Sequence, residues 1–206
     1  AARLIFVGSN FVKKSLIYDY GIKAERVIVT GFGAGLGHAD EYDKHFDGKT
    51  ILYVGKGDFE KKGGQVLIDA FAMVRDEIPD AVLHIVGQER IPNIAGIVNH
   101  GFVTDRELLC DLMKAAHVFV LPSLVDRFGI VLVEAMAAST PCIASDYGAM
   151  PEVVGDAGLI VRQNDAQELA QAMIRVLRDE ELARMLGRNG RQRFKDKYNW
   201  NAIWDV

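Results

Sequence analysis

A loop between an apolar strand and an apolar helix carries residues suited to binding an anion. The strand ends at Pro122, Asp126 lies in the loop, and the helix begins near Phe128. In an open parallel sheet such a loop lies at the carboxyl edge, where ligands bind. The first N–H groups of a helix lack intrahelical acceptors, and the helix dipole adds positive potential. We therefore predict an anion site at the N–H groups of Phe128, Gly129 and Ile130.

Glu134 is the unusual residue of the helix that follows this loop. It is the only charged residue between Arg127 and Asp146, in an otherwise apolar stretch. Helical side chains tilt toward the N-terminus, which would aim the carboxylate at the predicted anion site. There it could accept hydrogen bonds from two sugar hydroxyl groups. An equally good interpretation is a buried glutamate paired with a core lysine or a backbone N–H, because an unpaired buried carboxylate is costly.

A second candidate cluster runs from Gly55 to Gly64, directly after another apolar strand. Lys56 lies between glycines, and Lys62 precedes Gly63 and the next helix. Two cations at the same edge of the sheet would suit a diphosphate. The alternative is a solvated, lysine-rich loop without a ligand.

Several other motifs fail on spacing. The glycine-rich segment from Gly31 to Gly37 has Leu36 where a dinucleotide fingerprint needs its third glycine, and no amphipathic helix follows it. Gly48-Lys49-Thr50 resembles the end of a P-loop, but it precedes a strand. No GxSxG motif is present. The histidines have no metal-ligand spacing and are interpreted as structural or exposed: His38, His45, His84, His100 and His117.

The elements that must position these residues alternate along the chain. Eight short apolar runs predict strands: Arg3 to Val7, Arg26 to Thr30, Ile51 to Val54, Val82 to Val86, Ile97 to Phe102, Val118 to Leu121, Cys142 to Ala144 and Leu159 to Val161. Such runs are typical of parallel strands that are covered on both faces. Helical stripes lie between them, for example over Val66 to Val74. The pattern predicts an α/β fold with a doubly wound, Rossmann-like, mostly parallel six-stranded sheet.

A polar segment and helix-capping residues predict where the structural units of the chain begin and end. The polar segment from Gly31 to Asp47 has no apolar periodicity and is interpreted as a linker. We therefore divide the chain into a β-α-β piece with linker (1–47), a six-strand domain (48–195) and the start of a further helix (196–206). Two capping boxes are predicted at helix starts, Thr104 with Glu107 and Asn164 with Gln167.

Composition limits the classes of function. The 206 residues are half hydrophobic and a quarter charged, with a net charge of −4, so neither nucleic acid nor an anionic membrane is a predicted partner of this chain. No apolar run is long enough to span a bilayer. The two cysteines, Cys110 and Cys142, lack zinc-like spacing and are predicted to be reduced thiols. The N-terminus has no signal-peptide pattern, and the predicted location is cytoplasmic.

Taken together, these motifs resemble the C-terminal, donor-binding domain of family-4 retaining glycosyltransferases of the GT-B fold. The family's E-x(7)-E element appears as Asp126 and Glu134, and its basic pair appears as Lys56 and Lys62-Gly63. The segment 148–161 is similar to the family's "G-G-x-P-E-v-v … G-l-l-v" pattern. The sequence departs from the family at Asp126, where Glu is usual, at Lys56, where Arg is usual, and at Ser139 and Ala149, where Gly is common.

The resemblance implies a role for each matching residue. Glu134 would hold the ribose hydroxyls, Asp126 would contact the transferred sugar, and the base would lie near Gly101-Phe102-Val103. Lys56, Lys62 and the N–H groups of Gly129 and Ile130 would hold the diphosphate and stabilise its departing charge. The catalytic candidates are thus Asp126, Lys62 and Lys56, and the donor-binding candidates are Glu134, Phe128, Gly129, Ile130, Gly55, Gly63, Phe102 and Val103. No metal and no cofactor is expected.

The resemblance also implies a partner domain. Residues 3–30 resemble the last unit of the family's N-terminal domain, and residues 194–206 the start of the helix that crosses back onto it. We expect a UDP-, GDP- or ADP-sugar as donor and a glycan or lipid-linked acceptor held mainly by that other domain, with peripheral membrane contact through it. The chain alone is expected to transfer sugar poorly or not at all. A non-catalytic, nucleotide-binding regulatory module is the alternative function, and a dinucleotide oxidoreductase is disfavoured by the broken glycine motif.

Overall fold

The computed structural model describes residues 3–34 and 44–204, which form two separate parallel sheets. In the smaller sheet β1 (Ile5–Val7) pairs with β2 (Val27–Val29), and α1 (Asn10–Tyr18) connects them through a 3-10 turn at Ala24–Arg26. The predicted β-α-β piece is therefore present. Of the predicted linker, residues 35–43 lie outside the described residues.

The larger sheet has six parallel strands and confirms the predicted fold class. Its order is β5-β4-β3-β6-β7-β8. The strands are β3 (Thr50–Val54), β4 (Val82–Val86), β5 (Ile97–Asn99), β6 (Val118–Leu121), β7 (Cys142–Ser145) and β8 (Gly158–Val161). Predicted and observed bounds agree closely, except that β5 ends three residues earlier than Phe102. Gly101 has a φ of +62°, which is not a strand conformation.

Helices cover both faces of the larger sheet. They are α2 (Gly64–Glu77), α3 (Arg106–Ala115), α4 (Ile130–Ala137), α5 (Met150–Val154), α6 (Ala166–Arg178), α7 (Glu180–Lys197) and α8 (Trp200–Trp204), with a 3-10 turn at Gly155–Ala157. Helix α2 packs against α6, and α4 packs against α7. In the described part of the chain, none of these helices is both long and apolar enough to cross a membrane.

The central strands β3 and β6 are buried on both faces because almost all of their residues are apolar. All four residues of β6 are buried, as are Ile51, Leu52 and Tyr53 of β3. Burial of such continuous apolar surface is the main force that stabilises the sheet, at about 25 cal/mol per Å². The predicted stripe on α2 is also buried, including Leu67, Phe71 and Val74.

Two helix starts differ from the prediction by one residue. Asp105 caps α3 by accepting hydrogen bonds from the N–H groups of Glu107 and Leu108, and Asp165 caps α6 through the N–H of Glu168. The capping boxes predicted at Thr104 and Asn164 were therefore wrong. Aspartate caps a helix as well as threonine or asparagine does. The sequence pattern therefore did not determine which of the two neighbouring residues is the cap, and the conformation of the loop determined it.

The two sheets are joined by a carboxylate and by aromatic rings. Glu152, in α5, accepts hydrogen bonds from the backbone N–H groups of Asn10 and Phe11 at the start of α1, at 3.0 and 3.3 Å. The Phe128 ring lies edge-on to Phe32, after β2, with 5.0 Å between ring centroids. It also lies edge-on to Tyr198, which follows α7. Since α7 ends at Lys197, the boundary predicted at residue 195 lies inside a helix.

Candidate functional site

The order of the strands creates a crevice between β3 and β6. From β3 the chain continues to β4 and β5 on one side, and it then returns to place β6 on the other side of β3. Open α/β sheets bind ligands at such a switch point, outside the carboxyl ends of the strands. Here the loop after β3 carries Lys56 and Lys62, and the loop after β6 carries Asp126.

The two loops touch through their backbones. The carbonyl oxygen of Lys61 accepts hydrogen bonds from the N–H groups of Leu124 and Val125, at 2.9 and 3.0 Å. Gly63 precedes α2 with a φ of +75°, and a Cβ atom there would lie 2.0 Å from the carbonyl oxygen of Pro122. Only glycine fits this position, both for its conformation and for the space available. The start of α2 is therefore held against the end of β6.

Lys62 and Asp126, which the sequence placed at one edge of the sheet, form an ion pair across the crevice that the sequence analysis did not predict. The Lys62 Nζ lies 2.6 Å from Asp126 Oδ2, and the side chains are 25% and 17% exposed. The other carboxylate oxygen, Oδ1, accepts hydrogen bonds from the N–H groups of Phe128 and Gly129, at 3.1 and 2.8 Å. We call these groups (Lys62, Asp126 and the two N–H groups) the Lys62 cluster.

The Lys62 cluster corrects one feature of the predicted anion site. The N–H groups of Phe128 and Gly129 are not free, because Asp126 is short enough to fold back onto them. Ile130 lies one residue further, at the first position of α4, and is exposed. Gly129 itself caps the helix with a φ of +74°, which glycine adopts at little cost.

Glu134 is half-buried on α4, and its carboxylate has no hydrogen bond or ion pair among the residues that the structure describes. The alternative of a core lysine or backbone N–H as its partner therefore finds no support there. Desolvation by burial raises the pKa of Glu134, and the positive charge of Arg106 partly opposes that shift. A partly desolvated carboxylate without a donor can gain hydrogen bonds when hydroxyl groups of a ligand arrive.

Replacing Glu134 with glutamine is expected to raise the melting temperature at neutral pH, by about 2 °C. A carboxyl group whose pKa is higher in the folded than in the unfolded state costs stability as the pH rises from its ordinary value of 4.5 through the raised pKa. Glutamine carries no charge at any pH, whereas Glu134 becomes neutral at low pH. The difference in melting temperature between the two proteins should therefore disappear as the pH falls below 4.5. Thermal unfolding of both proteins across this pH range measures the difference.

Glu168→Gln provides a control for which the opposite change in melting temperature is expected. A hydrogen bond from the Arg162 side chain lowers its pKa, so its contribution to stability is present above its ordinary pKa and is lost as the pH falls through the lowered one. Glu168→Gln should therefore lower the melting temperature at neutral pH, slightly. A similar decrease for Glu134→Gln would mean that Glu134 has a donor in the folded chain.

The second lysine, Lys56, lies beside the predicted base-binding turn. Its Nζ is 4.9 Å from the centroid of the exposed Phe102 ring, within reach of a cation–π interaction. Both residues line a cavity of about 440 Å³ together with Gly57, Gly87, Gln88, Glu89 and Arg90. Val103 is partly buried and packs against the core. Lys56 and Lys62 thus occupy different parts of the same edge, since only Lys62 pairs with Asp126.

Sequence reasoning missed the residues that follow β4. The buried side chain of Gln88 donates a hydrogen bond to the carbonyl oxygen of Gly55, and a Cβ atom at Gly87 would lie 2.6 Å from that same oxygen. Both residues stabilise the loop that carries Lys56. Their position directly after an apolar strand was the available signal, because all carboxyl ends in a parallel sheet lie at one edge.

Tyr53, in β3, places a buried hydroxyl under this loop. A Cβ atom at Gly55 would lie 2.2 Å from the Tyr53 Oη, so glycine is required there too. No hydrogen-bond partner for this hydroxyl occurs among the described residues. Burial raises the pKa of Tyr53, and the negative charge of Asp126 adds to that shift. The tyrosine is therefore a neutral support for the site.

Metal-ligand clusters and disulfides are both absent from residues 3–34 and 44–204. The rings of His84 and His100 are hydrogen-bonded to each other. The ring of His117 is hydrogen-bonded to the backbone oxygens of Gly48 and Val176. His38 lies outside the described residues. The thiols of Cys110 and Cys142 are free.

The fold defines an open α/β domain in which the loops carrying Lys62 and Asp126 meet at the switch point of the sheet, and comparison with known proteins gives its family. Residues 40–193 match the family model "Glycosyl transferases group 1", and the chain belongs to this family. The resemblance to family-4 glycosyltransferases of the GT-B fold is thereby confirmed.

Named relatives and solved structures agree with this assignment. The chain is 36% identical over 167 residues to a phosphatidyl-myo-inositol mannosyltransferase of Mycobacterium leprae, covering 76% of this chain and 44% of the relative. It superposes on sucrose-phosphate synthase from Thermosynechococcus elongatus with a TM-score of 0.78 and 30% identity, covering 98% of this chain and 56% of the other.

A more distant structure shares the fold. HepE of Anabaena, solved in complex with UDP and glucose, superposes with a TM-score of 0.81 at 20% identity, over 98% of this chain and 61% of that one. The chain spans about half the length of the curated relatives that it matches.

Proposed function

We propose that this chain is the donor-binding part of a retaining glycosyltransferase that takes its sugar from a nucleotide diphosphate sugar. One observation carries the proposal: Lys62 and the N-terminus of α4 converge at the switch point of the sheet. A diphosphate needs positive charge and N–H donors at one place, and a helix N-terminus beside a lysine supplies both.

The same groups suit the chemistry of transfer. The bond between the sugar's anomeric carbon and the diphosphate oxygen breaks, and the diphosphate leaves with the bonding electrons. A hydroxyl oxygen of the acceptor forms the new bond to that carbon, and its proton passes to the departing diphosphate. Lys62, the N–H groups at the start of α4 and, more remotely, Lys56 would stabilise the negative charge that develops on the leaving group. The loops that carry these donors are packed against each other before the nucleotide sugar binds, so the backbone of the loops needs little reorganisation for the reaction.

The rest of the donor would extend along the carboxyl edge. Glu134 would accept hydrogen bonds from the ribose hydroxyls, and Asp126 would contact the transferred sugar. The base would lie near Phe102, whose exposed ring borders the 440 Å³ cavity. Gly55 and Gly63 let backbone and ligand approach closely at this edge.

UDP, GDP and ADP are all candidate nucleotides. The UDP complex of the distantly similar HepE supports UDP as the first to test. The proposal includes neither a metal ion nor a cofactor, because two lysines and a helix N-terminus already supply positive charge where the diphosphate would lie.

The acceptor and the location of the whole protein also belong to this proposal. A glycan or lipid-linked acceptor would bind mainly to a second domain, which would also make any peripheral membrane contact. A cytoplasmic location agrees with the free thiols of Cys110 and Cys142. The regulatory alternative is not favoured, because the relatives are named as transferases and synthases.

Isothermal titration calorimetry of the chain with UDP, GDP and ADP, each with and without its sugar, tests the proposal. We expect one nucleotide to bind, and the corresponding nucleoside without phosphates to bind far more weakly. Absence of binding by all of them at concentrations of about 1 mM, which corresponds to less than about 4 kcal/mol of binding free energy, would refute it.

A further inference from the structure

The Asp126 side chain accepts from three hydrogen-bond donors at the carboxyl edge of the sheet. Its Oδ1 accepts from the N–H groups of Phe128 and Gly129, and its Oδ2 pairs with Lys62. Lys62 and Asp126 are 64 positions apart in the chain. One carboxylate therefore satisfies both the N-terminus of α4 and the lysine on the other side of the crevice.

The length of the aspartate side chain makes this arrangement possible. An aspartate that accepts hydrogen bonds from the N–H groups two and three residues later forms the Asx arrangement found at turns and helix starts. Aspartate is among the preferred residues for such caps. A glutamate at position 126 would place its carboxylate one methylene further out, away from its own backbone.

The occupied donors are those that the proposed function assigns to the diphosphate. Each backbone N–H has a single proton, so it cannot serve a carboxylate and a phosphate oxygen at full strength. A carboxylate that stayed beside the diphosphate would also repel it, and solvent screens this repulsion poorly because Asp126 is only 17% exposed.

We propose that Asp126 is a built-in competitor for the diphosphate site, which a nucleotide must displace in order to bind. This inference rests on the proposed function. The displaced carboxylate gains new donors from the hydroxyl groups of a transferred sugar, and it gains none from a nucleoside diphosphate. Asp126 therefore favours the nucleotide sugar over the nucleoside diphosphate, and it helps to expel the diphosphate product after transfer.

The test measures the affinity of Asp126→Asn for UDP, GDP and ADP by calorimetry, beside the unsubstituted chain. Asparagine keeps a short capping side chain but removes the charge, so the loop should retain its structure. We expect the nucleoside diphosphate that binds the unsubstituted chain to bind the variant about tenfold more tightly. Asp126→Ser, a second neutral cap, should change the affinity in the same direction.

Asp58→Asn is the matched control. Asp58 lies in the loop after β3 and pairs with Lys61, not with Lys62. The substitution removes the same charge from the same edge of the sheet, so a general electrostatic effect would appear in both variants. We expect the affinity of Asp58→Asn to remain within about twofold of the unsubstituted chain, because exposed ion pairs contribute little.

A second readout is the ratio of affinities for the nucleotide sugar and the nucleoside diphosphate. The ratio should be smaller in Asp126→Asn than in the unsubstituted chain. The inference is overturned if the nucleoside diphosphate binds Asp126→Asn no more tightly than it binds the unsubstituted chain, or if Asp58→Asn gains as much affinity. Either result leaves the proposed function standing. If neither the nucleoside diphosphates nor the corresponding nucleotide sugars bind to the unsubstituted chain, the proposed function itself fails.

Discussion

Glu134→Ala is expected to weaken binding of the nucleoside diphosphate by at least about 30-fold, since each hydrogen bond to a charged group contributes about 1.5–3 kcal/mol. Glu134 is half-buried and its carboxylate has no hydrogen bond or ion pair among the described residues, so under the proposed function it can accept from the two ribose hydroxyls. Part of its desolvation has already been incurred on folding, which raises the pKa of Glu134. Binding then adds hydrogen bonds with a smaller further loss of protein–water contacts than a fully exposed carboxylate would suffer.

Calorimetry with ribonucleotides and their 2′-deoxy analogues measures this effect. The unsubstituted chain should prefer the ribose form, and Glu134→Ala should lose that preference. Asp126→Ala is the comparison, because it removes a carboxylate from the same site and should not weaken binding of the nucleoside diphosphate. Equal losses in the two variants, or an unchanged ribose preference in Glu134→Ala, would contradict the roles assigned to these residues.

Lys62→Ala is expected to reduce the affinity for the nucleoside diphosphate by about 100-fold, because a charge-assisted pair in a partly buried site is stronger than a neutral one. The loss has two sources. The diphosphate loses its cation, and Asp126 loses the partner that neutralises it. Binding of the nucleoside without phosphates should be unaffected.

Lys61→Ala provides the matched control for Lys62. Lys61 is the adjacent residue, its side chain is 68% exposed, and it pairs with Asp58 on the surface. Its removal should change the affinity little, because exposed ion pairs contribute at most about 1 kcal/mol. Comparable losses in both variants would mean that only the net charge of the loop matters. The double variant Lys62→Ala with Asp126→Ala should recover part of the affinity, since neighbouring residues couple.

Much of the fold could be predicted because its signals are local. Continuous apolar runs predicted all eight strands, and the stripe on α2 predicted its buried face. The predictions failed where two local solutions were equally good. The caps at Asp105 and Asp165 differ by one residue from those expected, because several polar residues at a helix start can accept the same N–H groups.

The candidate site was only partly predictable. Motifs placed Lys62 and Asp126 at one edge of the sheet, and the structure brings them within 2.6 Å. Nothing in the sequence indicated that Asp126 would also bind the N–H groups of Phe128 and Gly129. The Asp126 carboxylate accepts from its own backbone because of the conformation of the loop. The hydrogen bonds from the Leu124 and Val125 N–H groups to the Lys61 carbonyl oxygen help to set that conformation.

The sequence by itself determined the elements, the glycines at their ends and the residue types that could hold a diphosphate. These follow from periodicity and from backbone sterics, which act over a few residues. Only the tertiary structure decided which loops meet. The pairing of β3 with β6 brings together segments separated by two helices and two strands of the chain. As a result Lys62 lies in the Lys62 cluster, whereas Lys56 lies at the Phe102 cavity. Such pairings depend on burying one shared core, a property of the whole chain and not of any segment.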